Sequence, residues 1–283
     1  MNRHNLQSMD VPFPGEGSCP VLEVRDLCVE YRRRKHAGAA QVIRAVDHVS
    51  FSLQKRRTLG LVGESGSGKS TLAKAIIRLA PVCSGDILVK GGSVQGLSDR
   101  EFMTVRRKIQ MVFQDPYYTL NPRMTVAAML DEPMRIHFPG RSAEERRTRA
   151  LQLLEQVGLG EDALARYPHQ FSGGQRQRIG IARAMAVEPE VLLCDEAVSA
   201  LDVSVQAQIV NLLQDLQEMH GFAYLFIGHD LAVIEHISDE VMVMESGRVV
   251  EHAAADELYR NPVHPYTRRL LDAVPVLSSL GYE

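Results

Sequence analysis

Nine consecutive residues, Gly63-Glu64-Ser65-Gly66-Ser67-Gly68-Lys69-Ser70-Thr71, have the spacing G-x-x-x-x-G-K-S. Glycines let backbone N–H groups converge on an anion without side-chain clash, and a helix that starts at the lysine adds a partial positive charge. In this pattern Lys69 reaches the β- and γ-phosphates of a nucleotide and the Ser70 hydroxyl ligates Mg²⁺. The same residue types also make Gly/Ser-rich surface turns, so the flanks decide. Thr58 to Val62 is a short apolar run of the buried-strand kind, and Leu72, Ala73, Ala75, Ile76 and Leu79 recur at helical spacing. Strand, loop and helix in that order are the context the motif requires.

A second chemical signal is Val191-Leu192-Leu193-Cys194-Asp195-Glu196, an apolar strand that ends in two carboxylates. Asp195 is placed to hold Mg²⁺ through water, and Glu196 to orient or deprotonate an attacking water. Gln114 directly follows another apolar strand, Ile109 to Phe113. Ser172-Gly173-Gly174 stands at a helix start, where free N–H groups can hold an anion, although the tripeptide alone is a weak signal. Two residues carry two readings each. Tyr31, near the end of a strand, is either a core tyrosine or a ring that stacks on a purine. His229 follows the buried strand Tyr224 to Ile227, as a structural histidine or as a γ-phosphate contact at the sheet edge where ligands bind in open α/β folds.

The elements that must position these groups follow from the chain's patterning. With 283 residues and 45% hydrophobic content, the chain is long enough for a packed core as one large domain or two small ones. Its net charge of −3 and pI near 6.4 give no electrostatic reason to bind nucleic acid. Cys19, Cys28, Cys83 and Cys194 lie far apart, which argues against a zinc site or disulfide framework and for a reducing compartment. No apolar run approaches the roughly 18 residues needed to span a bilayer, and no secretory signal opens the chain. Residues 1–20 read as a mobile leader. Alternation through Leu22, Val24, Val29 and Tyr31, and through Val42 to Leu53, predicts antiparallel strands joined by the basic loop Arg32 to Gly38. That loop reads as a solvated hairpin tip. From Gln114 to about residue 180 the pattern is helical, including a segment from Ser142 to Val157 that Gly158 would cap. A helix from Val203 to Met219 and two short strands, Glu240 to Met244 and Arg248 to Glu251, complete the outline.

With these segments in order, residues 21 to 275 resemble the ATP-binding subunit of an ABC transporter. The resemblance implies an α/β P-loop NTPase with an ABC-type nucleotide-binding domain: a mixed sheet core, an antiparallel β subdomain and a helical subdomain. Domain limits would be 1–20 for the leader, 21–260 for the ATPase domain, with helices at about 115–180, and 261–283 for a C-terminal tail. By the same resemblance Tyr31 looks like the adenine-stacking aromatic, Gly63 to Thr71 the phosphate loop, and Gln114 the glutamine that senses Mg²⁺ and faces the membrane subunit. Ser172, Gly173 and Gly174 look like the signature that caps the γ-phosphate bound by the opposite subunit. Asp195 resembles the Mg²⁺-site aspartate, Glu196 the catalytic glutamate, Asp202 the dimer-contact aspartate and His229 the switch histidine. ATP and Mg²⁺ are the implied cofactors.

Phe113-Gln114-Asp115-Pro116, Leu120-Asn121-Pro122-Arg123, Ala200 to Gln208 and Asn261-Pro262-Val263-His264-Pro265-Tyr266-Thr267 are similar to the dipeptide/oligopeptide/nickel importer group. That similarity implies a second ATPase subunit, identical or a paralogue, two membrane permease subunits, an extracytoplasmic solute-binding protein, and a place on the cytoplasmic face of the inner membrane. A soluble ABC ATPase acting on nucleic acid or ribosomes is the alternative; it would need a coiled-coil insertion, zinc cysteines or tandem cassettes. Departures from the family pattern are Ala197-Val198 after the carboxylate pair, Gly228 before the histidine and Arg56-Arg57 in the hairpin before the phosphate loop. The tail has no cysteine segment, so no iron–sulfur cluster is expected.

Overall fold

Alternating apolar residues put one face of a strand pair into a core, and β1 (Leu22–Arg34) and β2 (Ala40–Leu53) form that antiparallel hairpin, with Leu22 opposite Leu53 and Tyr31 opposite Ile43. The computed structural model describes residues 19–34 and 40–273. The expected leader through residue 18, the loop residues Lys35 to Gly38 and the tail beyond 273 lie outside the described residues. Arg32 to Arg34, expected in the loop, belong instead to β1, which carries Tyr31 inside a strand rather than at its end. Cross-strand pairing with β2 continues through these residues, Arg34 standing opposite Ala40.

β3 (Thr58–Val62) leads through the phosphate loop into α1 (Lys69–Ile76). The turn before β3 keeps a left-handed backbone at Arg56, φ 62°, a conformation that glycine would adopt at lower cost. β4 (Ser84–Val89) and β5 (Gly92–Ser93) complete a four-stranded antiparallel sheet in the order β2-β1-β4-β5. α2 (Asp99–Lys108), absent from the sequence-based outline, starts at a capping box in which Ser98 and Glu101 satisfy each other's backbone N–H groups. β6 (Ile109–Val112) follows, then α3 (Pro116–Thr119), α4 (Val126–His137) and α5 (Ala143–Gln156), the last ending at Gly158 with φ 72°. Two short 3₁₀ segments, Glu161–Ala165 and Pro168–Gln170, lead to α6 (Gly173–Met185).

β7 (Val191–Asp195), α7 (Val203–His220), β8 (Ala223–Ile227), α8 (Leu231–Ile237), β9 (Glu240–Glu245) and β10 (Arg248–Ala254) then close the second sheet. Its order is β10-β9-β3-β8-β7-β6, parallel except for β10. Short helices α9 (Ala255–Arg260) and α10 (Pro265–Asp272) finish the described chain.

The parallel strands are mostly apolar, with polar residues chiefly at their ends, as expected where both faces are covered. Leu61, Leu193, Leu225 and Ile227 pack with Leu72 and Ile76 of α1 and the inner face of the antiparallel sheet. Leu192, Cys194, Tyr224 and Phe226, the alternate positions, pack with α4 to α8. α1 is thereby held between two sheets, and the loop that precedes it has a rigid floor.

Candidate active site

Four neighbouring parallel strands, β3, β8, β7 and β6, deliver the phosphate loop, His229, the carboxylate pair and Gln114 from their carboxyl ends. Ligands in open α/β sheets bind at that edge. The loop is shaped by close packing. Gly63 has φ 149° and a Cβ there would lie 2.1 Å from the carbonyl oxygen of Met244; Gly68 has φ 110° and would meet that of Ala45 at 2.1 Å. The Lys69 ammonium donates to the carbonyls of Gly63 at 2.7 Å and Glu64 at 2.9 Å. Burial lowers its pKa, while Glu196 and Asp195 act in the opposite direction.

Ser70 Oγ donates to Asp195 Oδ1 at 2.7 Å, which joins the start of α1 to the end of β7. Burial raises the Asp195 pKa, partly offset by the Ser70 bond and by Lys74. Two hard oxygen donors side by side, one of them a desolvated carboxylate, suit a small divalent cation such as Mg²⁺. The sign of the linkage follows. A folded-state pKa above the unfolded one means that Asp195 favours the folded state below its unfolded pKa and that this contribution is lost as pH rises through the folded pKa, leaving a desolvated charge at neutrality. Asp195→Asn in protein freed of divalent cations is therefore expected to raise the unfolding temperature at pH 7, by no more than roughly 2–4 °C. Calorimetry in a chelator checks this, and a clear fall would contradict it.

Glu196 has a left-handed backbone, φ 48°, uncommon for a residue with a Cβ. The conformation is enforced on both sides: its N–H donates to Ile227 O at 2.9 Å, and its carbonyl accepts from Ser199 N at 3.1 Å and Ser199 Oγ at 3.0 Å. Its carboxylate accepts from Gln114 Nε2 at 2.7 Å and stands 3.8 Å from His229 Nδ1. Gly228 is closely packed, since a Cβ there would meet Ile234 Cδ1 at 3.2 Å. A larger residue before His229 would need Ile234 to give way.

Lys69, Ser70, Asp195, Glu196, Gln114 and His229 thus form one connected cluster. Ser172, Gly173, Gly174 and Asp202 form another. Ser172 caps α6, its hydroxyl accepting from Gln175 N at 3.3 Å, and a Cβ at Gly174 would meet Val205 of α7 at 2.5 Å. Asp202 caps α7, with its carbonyl accepting from Val205 N and Gln206 N. Tyr31 lies on the antiparallel sheet, 40% exposed, so the core reading of its ring does not hold.

Sequence reasoning missed two neighbours of the site. Arg176, buried in α6, places its guanidinium 3.7 Å over the Tyr117 ring just after Gln114. Tyr266 of α10 bonds to the phosphate loop. Both are contacts between distant segments; the local hints were the basic character of residue 176 and the place of Tyr266 in the motif Asn261 to Thr267, and neither names the partner.

Residues 46–199, more than half of the chain, match the family model described as ABC transporter. The chain belongs to the ABC transporter family. Within this ABC protein, residues 250–280 match the model described as the oligopeptide/dipeptide transporter C-terminal region. The chain is similar to the oligopeptide transport ATP-binding protein OppF of Bacillus subtilis (strain 168), 54% identical over 83% of this chain and 77% of that protein. It is similar also to OppF of Escherichia coli (strain K12), 49% identical over 92% of this chain and 79% of that one. Among solved structures, the ABC fold is shared with the dimeric post-hydrolysis state of the ATP-binding cassette MJ0796 bound to ADP and Pi, at TM-score 0.74 and 30% identity over 83% of this chain and 98% of that chain.

Proposed function

We propose that this chain is the ATP-hydrolysing subunit that energises import of a peptide or similar small solute through a membrane ABC transporter. The observation that carries this reading is the cluster at the strand ends, in which a phosphate loop, a desolvated carboxylate and a second carboxylate held by Gln114 converge. The reaction is ATP + H₂O → ADP + phosphate. Lys69 and the loop N–H groups hold the β- and γ-phosphates, Glu196 orients and deprotonates the attacking water, and His229 meets the γ-phosphate. Ser70, Asp195 and Gln114 would hold Mg²⁺, which when bound offsets charge on the transferring phosphoryl group. Tyr31 would stack on the adenine.

The second cluster supports a site shared between subunits. Ser172 to Gly174 and Asp202 are packed together and serve the nucleotide of a facing ATPase subunit, the same chain or a paralogue. A lone chain should then bind ATP and turn it over slowly.

Among the described residues no helix is long and apolar enough to cross a membrane, so permease subunits supply the path. A cleft of about 280 Å³ between the end of α1, β6, α4 and α6 is lined by Ile77, Leu79, Met111, Phe113, Pro133 and His137. Phe113 adjoins Gln114, and α6 carries the signature at its start, so an occupant of this cleft would feel both clusters. We assign it to a cytoplasmic segment of a permease, which would hold the chain at the inner face of the membrane; the extracytoplasmic binding protein acts through those permeases. Co-expression tests the assignment. Leu79→Glu, at a position 58% exposed, is expected to lower recovery of permease-bound chain at least roughly tenfold while ATP binding by the free chain is kept. Full recovery of the complex would refute the docking site. Stimulation of phosphate release by permeases and a peptide-loaded binding protein, in reconstituted vesicles, tests the function itself.

A further inference from the structure

The motif Asn261 to Thr267 marks a subgroup in the sequence, yet the site as described uses none of it. Its tyrosine has a defined contact. Tyr266 is 3% exposed, and its hydroxyl accepts the N–H of Glu64 at 2.9 Å, across 202 positions of sequence. Burial raises the Tyr266 pKa, so the phenol is neutral at physiological pH.

The N–H of Glu64 and the carbonyl of Gly63 belong to the same peptide unit, which is planar. One end of this plane is held by Tyr266, and the other accepts the Lys69 ammonium at 2.7 Å. Turning the plane therefore moves the seat of the lysine. The helix that carries Tyr266 is held in turn by two hydrogen bonds at the residues just before it and by one ion pair. Glu251 of β10 accepts the N–H groups of Val263 at 2.8 Å and His264 at 2.9 Å, and Arg269 lies 3.6 Å from Glu245 at the end of β9.

We propose that Tyr266 is a positioning residue for Lys69, and that docking of α10 against the phosphate loop sets the affinity of that loop for ATP. The C-terminal segment is then a brace through which any partner that displaces α10 would loosen nucleotide binding. The inference rests on Lys69 holding the phosphates of ATP.

Tyr266→Phe tests it in the full chain, because the ring is kept and only the hydroxyl is removed. The Kd for MgATP is expected to rise about three- to tenfold, with hydrogen exchange at the Glu64 amide accelerated. In the assembled transporter KM for ATP should rise while kcat stays within about twofold. A tyrosine that only fills space would leave Glu64 exchange and KM unchanged. Glu251→Ala, which releases α10 without touching Tyr266, is expected to weaken MgATP binding in the same direction. Wild-type binding with unchanged affinity in Tyr266→Phe overturns this inference alone. A wild-type chain that does not bind MgATP overturns the ATPase reading and this inference with it.

Discussion

Replacing Glu196 with glutamine is expected to lower phosphate release in the assembled transporter by roughly 100- to 10,000-fold, the range associated with loss of a general base. ATP affinity should change little. The glutamine keeps a side-chain oxygen to accept from Gln114 Nε2, which now bonds the carboxylate at 2.7 Å, so the geometry is retained and only the basicity is lost. Single-turnover assays with radiolabelled ATP separate binding from chemistry. Undiminished turnover would mean that another group activates the water.

The second large effect concerns backbone shape. Gly68→Ala is expected to abolish measurable ATP binding and to destabilise the fold by more than the roughly 1–3 kcal/mol that an enforced unfavourable backbone conformation costs by itself. At φ 110° the added Cβ would lie 2.1 Å from the carbonyl oxygen of Ala45, and that atom belongs to β2, which cannot shift without disturbing the hairpin. Gly66→Ala supplies the contrast. Its φ is 84° but nothing lies within 4 Å of the added Cβ, so it should carry backbone strain without a clash and retain weakened ATP binding. Isothermal titration and thermal unfolding of the two variants check the order. Equal effects would show that strain alone governs the loop.

How much of this was legible in the sequence depended on distance along the chain. The phosphate loop and the carboxylate pair are local patterns, each set by a strand before it, and both stand at carboxyl ends of one sheet as their sequence context implied. The start of α5 at Ser142 and its end at Gly158 were also readable, because capping is decided within a few residues. The capping box at Ser98 and Glu101 carries the same signal for α2, but the segment it opens is mostly polar and buries Phe102 alone, so no apolar periodicity supports it. Other features were hidden in physical terms. Alternation could not show that β1 continues through Arg34, because the run Arg32 to Arg34 has no apolar residue to alternate and its pairing with Ala40 to Val42 is set across the hairpin. The left-handed turn at Glu196 depends on Ile227 and Ser199, and the Tyr266 bond to Glu64 depends on the packing of α10. No local rule encodes either.

The division of the site residues into two clusters is the point on which the account turns. Within one chain Ser70, next to Lys69, bonds to Asp195, next to Glu196, while Gly173 and Gly174 pack against Leu201 and Val205 on either side of Asp202. The most direct measurement is the structure of the Glu196→Gln assembly with MgATP. The account predicts two ATP molecules at a subunit interface, each with its γ-phosphate between Lys69 of one ATPase subunit and the signature serine of the other. A nucleotide enclosed by the loop and the signature of a single subunit, or one bound away from Lys69, would contradict it.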